Sequence, residues 1–512
     1  MTLLLWLLGI AAVFVAASYL ALYSYGRFAR QALGAPGYAL PKTVDGTRLD
    51  REVCSLAARH PGASGLALCF DGAEAFGLRL ASLRAAGRSL DIASYIWRDD
   101  LSGRLLAREL IAAADRGVRV RLLLDDVNVQ GVDPKFRALN GHPGIEVRLF
   151  NPVRHRGTAV RRGIEMLLMA VRFNRRLHAK LWIADGRIAI TGGRNVGDDY
   201  FDVPMARKRN VRDMDVTLVG PLAAEAETLF DGYWNSDQAL PMAAFWRDYE
   251  AGLERFRARL EDNAERPEAL RLLAAAVEAR VLPAGLRWTR KARLIADPPE
   301  KALAAGRERW LPTMLLPEMA AAERRLRLIT PYFVPGREGM QPLLEIAGRG
   351  VRVEVLTNAL AVTNHTIVHG AYRRYRWGLL AAGVRLHEFA PPDGAERHGE
   401  TRRGEMLHSK GFSVDGRLAF VGSFNFDLRS AFLNIEAGVL FEDAELVAAF
   451  DAEFDRCAAP EMAYAVALDG RRLAWAPGPR AGSTPILHEP EADALRRGTS
   501  WVIGHLPIHT HL

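Results

Sequence analysis

Two histidines are followed by the same residues at the same spacing. His178 leads to Lys180, Asp185, Gly192, Gly193 and Asn195, and His408 leads to Lys410, Asp415, Gly422, Ser423 and Asn425. Both copies read H-x-K-x4-D-x6-G-[GS]-x-N. Successive side chains of a strand point to opposite faces, so a histidine and a lysine two apart share one face. An imidazole can act as a nucleophile or as an acid and base, and an ammonium beside it can hold developing negative charge. The bland alternative is a pair of core strands that carry these residues by chance. Lysine is almost never fully buried without a partner, and the match is repeated over the full motif, so we set that alternative aside.

The elements around the motifs repeat as well. FGLRLASLRAAG reads as a helix, LDIASYIW as a strand, GRLLARELIAAADRG as a helix and VRVRLLLDD as a strand. After residue 310 the order returns: TMLLPEMAAAERR as a helix, LRLITPYFV as a strand, GMQPLLEIAGRG as a helix and VRVEVLTNA as a strand. The pentapeptide RGVRV occurs at 116–120 and again at 349–353. Two features recurring at nearly one long offset indicate a duplicated domain rather than a solenoid. The expected organisation is a membrane anchor over 1–25, a tether over 26–64, a first α/β domain over 65–236, a helical linker over 237–300, a second α/β domain over 301–465 and a C-terminal tail over 466–512. The active site is expected in the cleft between the two halves.

The paired motif resembles the HKD signature of the phospholipase D superfamily. The phrases YIWRDDLSGRLL, RGVRVRLLLDD, GGRNVGDDYF and GSFNFDLRS are most similar to bacterial cardiolipin synthases of that type. The resemblance implies two phospholipase D-like α/β domains and a phosphatidyltransferase that makes cardiolipin. Phosphatidylglycerol would be the acceptor, and phosphatidylglycerol or phosphatidylethanolamine the donor. A phosphodiester is already an anion, so its non-bridging oxygens need compensation before a nucleophile can approach. Lys180, Lys410, Asn195 and Asn425 are suited to that task, so no metal and no cofactor are expected. One histidine would attack phosphorus and the other would move protons. Family analogy assigns His178 as the nucleophile and His408 as acid and base, with the reverse left open. The resemblance further implies Asp215 and Glu436 as the carboxylates that orient the histidines, and Asp185 and Asp415 as residues that position the motif. A hydrolytic phospholipase D, an anchored HKD nuclease and a non-catalytic lipid-binding scaffold are the competing readings. The sequence shows no interleaved aromatic and basic stretch suited to a single strand, so no nucleic-acid partner is expected.

The whole chain fits this picture. It has 512 residues, a net charge of +8 and a pI near 9.5, which favours an anionic partner, either nucleic acid or an acidic membrane surface, without choosing between them. Leu3–Tyr23 is free of charge and long enough to cross a bilayer. Arg27, Arg30 and Lys42 follow it, which places the body on the cytoplasmic side by the positive-inside rule. A signal peptide cleaved near Ala16-Ala17-Ser18 is the rival reading; the length and the missing basic n-region favour a single-pass anchor in a bacterial inner membrane. Three cysteines without CxxC, and the lack of HExxH and GxxxxGK[ST], point away from disulfide frameworks, zinc sites and P-loops. His60 and His142 precede Pro-Gly and read as turn residues, while His365 and His369 mimic a metal-binding face without a matching carboxylate motif. His505, His509 and His511 belong to an apolar tail. Residues 154–176 read as a basic amphipathic helix with Val160, Ile164, Leu167, Leu168 and Val171 in one stripe. That stripe either packs on the domain or faces an anionic bilayer.

Overall fold

The computed structural model describes residues 2–203, 210–246, 252–277, 281–283, 285–391, 396–397, 400–401, 405–476 and 485–506. Two nine-stranded sheets dominate it. In the first, the parallel strands Ser89–Ser94, Arg119–Asp125 and Ile145–Phe150 continue into the antiparallel strands Leu181–Ala184, Ile188–Gly192 and Asp215–Val219. In the second, Arg325–Ile329, Arg352–Asn358 and Arg385–Phe389 are the parallel set, followed by Gly411–Val414, Leu418–Gly422 and Ala437–Phe441. Near-continuous apolar runs such as LLL at 122–124 suit strands covered on both faces.

The repeated RGVRV occupies equivalent corners. Gly117 and Gly350 stop their helices at φ 88° and 85°, a left-handed conformation that glycine adopts without a Cβ penalty. The strand of the next parallel pair starts two residues later, at Arg119 and Arg352.

The two sheets are joined at their motif ends. Val211–Arg212 pairs in parallel with Met406–Leu407, and Leu177 bridges Ile435 in the same sense. One apolar core runs through both halves, from Ile183, Val216 and Leu218 to Val421, Val439 and Phe450. The domains therefore pack as a continuous body with the motifs at the seam.

Three boundaries differ from those expected from sequence. The segment 237–300 is not only helical. It carries helices Leu253–Ala264 and Pro267–Val277, but Ala239–Pro241 and Arg287–Thr289 pair into the first sheet and Ala292–Ala296 into the second. Short edge strands of three to five residues give too weak a periodic signal to register beside Ala- and Arg-rich helices. The tail is also structured: Ala463–Asp469 and Arg472–Trp475 extend the second sheet, and helix Ala494–His505 packs on helix Thr366–Ala381. The tether is a packed strap. Gly37 and Ala39 donate backbone N–H groups to Asn235 and Asp231, and Leu49 and Val53 of helix Arg48–Ala57 are buried.

The N-terminal helix spans Thr2–Ala32 and is long and apolar enough to cross a membrane. Its last turns are held by the body. Tyr25 donates its hydroxyl to the Pro152 carbonyl at 2.7 Å, and the Arg172 guanidinium lies 4.2 Å from the Tyr25 ring. Arg172 follows helix Ala159–Leu168, whose stripe points outward: Val160, Ile164, Leu167 and Val171 are 54–78% exposed. Leu168 is half-buried, whereas Met169 and Phe173 face the body and pack with Tyr25 and Ala29. The stripe is therefore not packed on the domain.

Candidate active site

Each motif histidine lies just ahead of a hairpin strand. The hairpins turn at Asp185-Gly186 and Asp415-Gly416, all four residues at positive φ between 54° and 67°. The motif aspartates do structural work from these turns. Asp185 accepts the backbone N–H groups of Gly87, Arg88 and Ser89 at 2.7–3.0 Å, and Asp415 accepts those of Glu323, Arg324 and Arg325 at 2.7–3.0 Å. Each ties its hairpin to the start of the neighbouring parallel strand, which sets the height of the histidine and lysine at the other end. Neither aspartate hydrogen-bonds a motif histidine or lysine.

The histidines are oriented across the seam. The N–H groups of His178 and Ala179 both donate to the Ile435 carbonyl, and those of His408 and Ser409 both donate to the Arg212 carbonyl. The next residue in each case is the carboxylate partner. His178 Nδ1 lies 2.7 Å from Glu436 Oε2, and His408 Nδ1 lies 2.6 Å from Asp213 Oδ2. Each half thus supplies the carboxylate for the other half's histidine. A carboxylate accepts only, so Nδ1 carries the proton in each imidazole and Nε2 is the nitrogen with a lone pair.

Asp213 replaces Asp215 in the role expected from sequence. Asp215 instead accepts from Arg79 Nη2 at 2.9 Å and lies 3.5 Å from Arg194 Nη1. Strand register explains the difference. Gly192 is paired with Asp215, and Gly422 is paired with Gly438, so Asp215 corresponds to Gly438 and Asp213 to Glu436. VRDMD offers two aspartates at period 2, and only the pairing to the motif glycine separates them.

Burial and charge set the titration of the site. Burial lowers His178 to about 4 and His408 to about 3, with the adjacent lysines pushing the same way. Both imidazoles are therefore neutral near neutral pH. Lys410 Nζ sits 2.8 Å from His408 Nδ1, a crowding that Lys180 does not impose on His178. Burial brings Lys180 down to about 7 and Lys410 to about 8. For the carboxylates burial opposes ionisation, but Lys410 and His408 outweigh it at Asp213, and His178 and Lys180 bring Glu436 to about 2. Ser423 and Ser430 also donate to Glu436, at 2.5 and 2.8 Å.

The amides differ between the halves. Asn195 accepts from the Ile96 N–H at 3.2 Å and donates to the Tyr200 hydroxyl at 2.9 Å. The Asn425 side-chain oxygen is buried with no protein partner among the described residues. Three tyrosines that the sequence reading did not single out stand beside the histidines. Tyr95 stands edge-on to His178 with centroids 4.8 Å apart, and Tyr200 and Tyr332 stand edge-on to His408 at 5.4 and 6.4 Å. Tyr95 directly follows the first parallel strand of its half, whereas by strand register Tyr332 corresponds to Ile96, so aligning the two halves does not pair the tyrosines. Beside them an open cavity of about 480 Å³ lies between the domains, walled by Arg98, Val211, Asn364, Met406 and Arg496.

Among the described residues, His60, His142 and His505 stand apart from this constellation, and His365 touches its edge through Tyr332. His60 stacks on Trp288, His142 bonds Asp115, and His505 bonds the Trp501 carbonyl. His365 stands edge-on to Tyr332. His369 lies near Glu388 and Glu489, but the Arg376 guanidinium fills the middle of that group, contacting His369 Nε2 and both carboxylates. A fixed cation there suits an ion cluster, not a metal. His509 and His511 lie outside the described residues.

The comparisons with known proteins agree with this fold. Residues 80–234 and 315–458 match the family described as "Cardiolipin synthase, PLD-like domain". The chain is 38% identical to cardiolipin synthase C of Escherichia coli K12 over 420 residues, 80% of this chain and 87% of the relative. It is 26% identical to cardiolipin synthase A of Yersinia pestis over 391 residues, 76% of this chain and 67% of that protein. The crystal structure of phosphatidylserine synthase from Haemophilus influenzae superposes with a TM-score of 0.59 at 13% identity, covering 95% of this chain and 99% of the other, and so shares the fold. The chain belongs to the cardiolipin synthase family of phospholipase D-like phosphatidyltransferases.

Proposed function

We propose that this enzyme makes cardiolipin by moving a phosphatidyl group onto the glycerol hydroxyl of phosphatidylglycerol through a phosphohistidine. The observation that carries the reading is the crossed pairing of His178 with Glu436 and His408 with Asp213. It gives two neutral imidazoles with Nε2 as the reactive nitrogen on one seam, each beside its own lysine. In the first step His178 Nε2 attacks phosphorus, and the P–O bond to the donor's headgroup breaks. His408, protonated when the bound phosphodiester anion raises its pKa, delivers a proton to the leaving alkoxide. In the second step neutral His408 takes the proton of the acceptor hydroxyl. That oxygen attacks phosphorus, the P–N bond breaks, and His178 returns to its starting form. Lys180, Lys410, Asn195 and Asn425 compensate the charge on the non-bridging oxygens.

The N-terminal helix serves as the membrane anchor in this proposal, with the body on the cytoplasmic face of a bacterial inner membrane. The outward stripe of Val160, Ile164, Leu167 and Val171 seats the body on the same bilayer, because the base of the anchor is packed beside it.

The purified full chain in detergent, given phosphatidylglycerol with and without phosphatidylethanolamine, should yield cardiolipin resolved by mass. Release of glycerol or of ethanolamine identifies the donor. Phosphatidic acid as the sole product would replace the transferase reading with hydrolysis. Acid-quenched trapping should place the labelled phosphatidyl adduct on His178. His178→Ala should abolish adduct and turnover, whereas His408→Asn should slow turnover by about 10²–10⁴-fold. Label on His408 in the unmodified enzyme would reverse the two roles.

A further inference from the structure

Joining two phosphatidyl lipids brings two phosphodiester anions into one cleft, and the paired motif offers compensation for one of them. A second set of cations stands beside it. The open cavity of about 480 Å³ between the domains has Arg98 on the wall of the first half and Arg496 on the wall of the second, with Asp199 as the one acid in its lining among the described residues. Arg98 Nη1 lies 3.0 Å from Asp199 Oδ2. Arg496 comes from the first turn of the tail helix Ala494–His505, and its guanidinium donates to the carbonyls of Ala361 and Thr363. Asp493 accepts the backbone N–H of Arg496, and no carboxylate pairs with its guanidinium among the described residues. The two carbonyls fix its direction without cancelling its charge, so the lining keeps one positive charge in excess.

The cavity lies on the His408 side of the site. Tyr200 stands edge-on to His408 and packs with Val211 and Met406. Tyr332 stands edge-on to the same imidazole and donates its hydroxyl to Asn364 at 2.8 Å. Val211, Met406 and Asn364 all line the cavity. Met406 precedes His408 by two residues, about 7 Å of extended chain. On the facing wall, Arg98 follows Ile96 by two residues, and Ile96 donates its N–H to Asn195 of the first motif. His408 is the histidine assigned to the acceptor hydroxyl. In phosphatidylglycerol that hydroxyl and the phosphate are separated by one glycerol, so an acceptor placed at His408 carries its own anion to about the depth of Met406. Two phosphodiesters so close repel each other unless a cation stands by the second.

We propose that Arg98 and Arg496 bind the phosphodiester of the acceptor lipid, while Lys180 and Lys410 hold that of the donor. The inference rests on the phosphatidyl-transfer reading given above. The test lets two alcohols compete for one phosphatidyl group on the full chain in detergent: isotopically labelled glycerol, and deacylated phosphatidylglycerol, which adds the phosphodiester without the tails. The product ratio, read by mass, does not depend on how much enzyme is folded. The unmodified enzyme should prefer the phosphate-bearing alcohol by at least about tenfold. Arg98→Gln and Arg496→Gln should each bring the ratio within about threefold of unity, and Arg496→Lys should keep most of the preference. No preference in the unmodified enzyme, or one that survives both glutamine variants, would overturn the assignment. Phenylglyoxal modification of the unmodified chain, mapped by peptide mass, gives a readout independent of turnover and of how the variants fold. Deacylated phosphatidylglycerol should protect Arg98 and Arg496 where glycerol does not; equal modification with either alcohol would overturn the inference. If neither alcohol is phosphatidylated, the transfer reading fails, and the protection pattern still reports on the anion site.

Discussion

Where the first half buries Asp215 between Arg79 and Arg194, the second half has Gly438 under the ring of Phe420 and an apolar hollow beside it. A few ångströms away the halves are alike: histidine, lysine, hairpin aspartate and asparagine recur, and each histidine bonds a carboxylate from the opposite half. The histidine, lysine and carboxylate groups meet as a pair across a seam and recur in both copies. The residues behind them answer only to local packing, where an ion cluster and an aromatic wall are both workable solutions. The outer layers differ in the same way. The first half is covered by helices Leu253–Ala264 and Pro267–Val277, whose Phe256, Leu260 and Ala269 join its core.

The strongest way to break this comparison is to exchange carboxylates for amides. Asp213→Asn and Glu436→Gln keep the shape but remove the charge that fixes the Nδ1–H tautomer, so kcat should fall by about 10²–10⁴-fold with thermal stability little changed. Asp215→Asn should do the reverse. It leaves Arg79 and Arg194 buried without their shared anion, at a cost of about 3–5 kcal/mol, with kcat of the folded fraction within a few-fold of normal. Thermal melts read beside turnover separate the two. A kcat collapse in Asp215→Asn at unchanged Tm would show that the register-based equivalence is wrong.

A second effect lies in pH. The attacking imidazole acts when neutral, which it is above its lowered pKa, so kcat/KM should rise through about pH 4. The lysines act when protonated, which they are below their own values of about 7 and 8, so kcat/KM should fall as pH climbs through that window. A profile in detergent that stays flat from pH 6 to 9 would mean that both lysines keep their charge throughout. The smallest effect should come from the outer stripe. Val160→Ser, Ile164→Ser and Leu167→Ser combined should lower activity on phosphatidylglycerol vesicles by about 2–5-fold and leave activity in micelles unchanged. Equal activity on vesicles would leave the anchor as the sole seat on the bilayer.

The sequence by itself determined the duplicated α/β plan, the long apolar N-terminal helix and the motif residues His178, Lys180, Asn195, His408, Lys410 and Asn425. These are local signals: period-2 runs, an uncharged stretch and fixed spacings within about 20 residues, which the chain must satisfy wherever it folds. Tertiary structure decided which carboxylate serves which histidine. Asp213 and Asp215 are equivalent in a one-dimensional reading, and only the pairing of Gly192 with Asp215, and of Arg212 with the His408 segment, separates them. It also decided that the tail and the segment between the halves contribute sheet edges, because strands of three to five residues are held by the partners they meet rather than by their own pattern. The apolar hollow in the second half was likewise illegible, since its walls come from residues more than 100 positions apart, brought together only when the sheet closes against its helices.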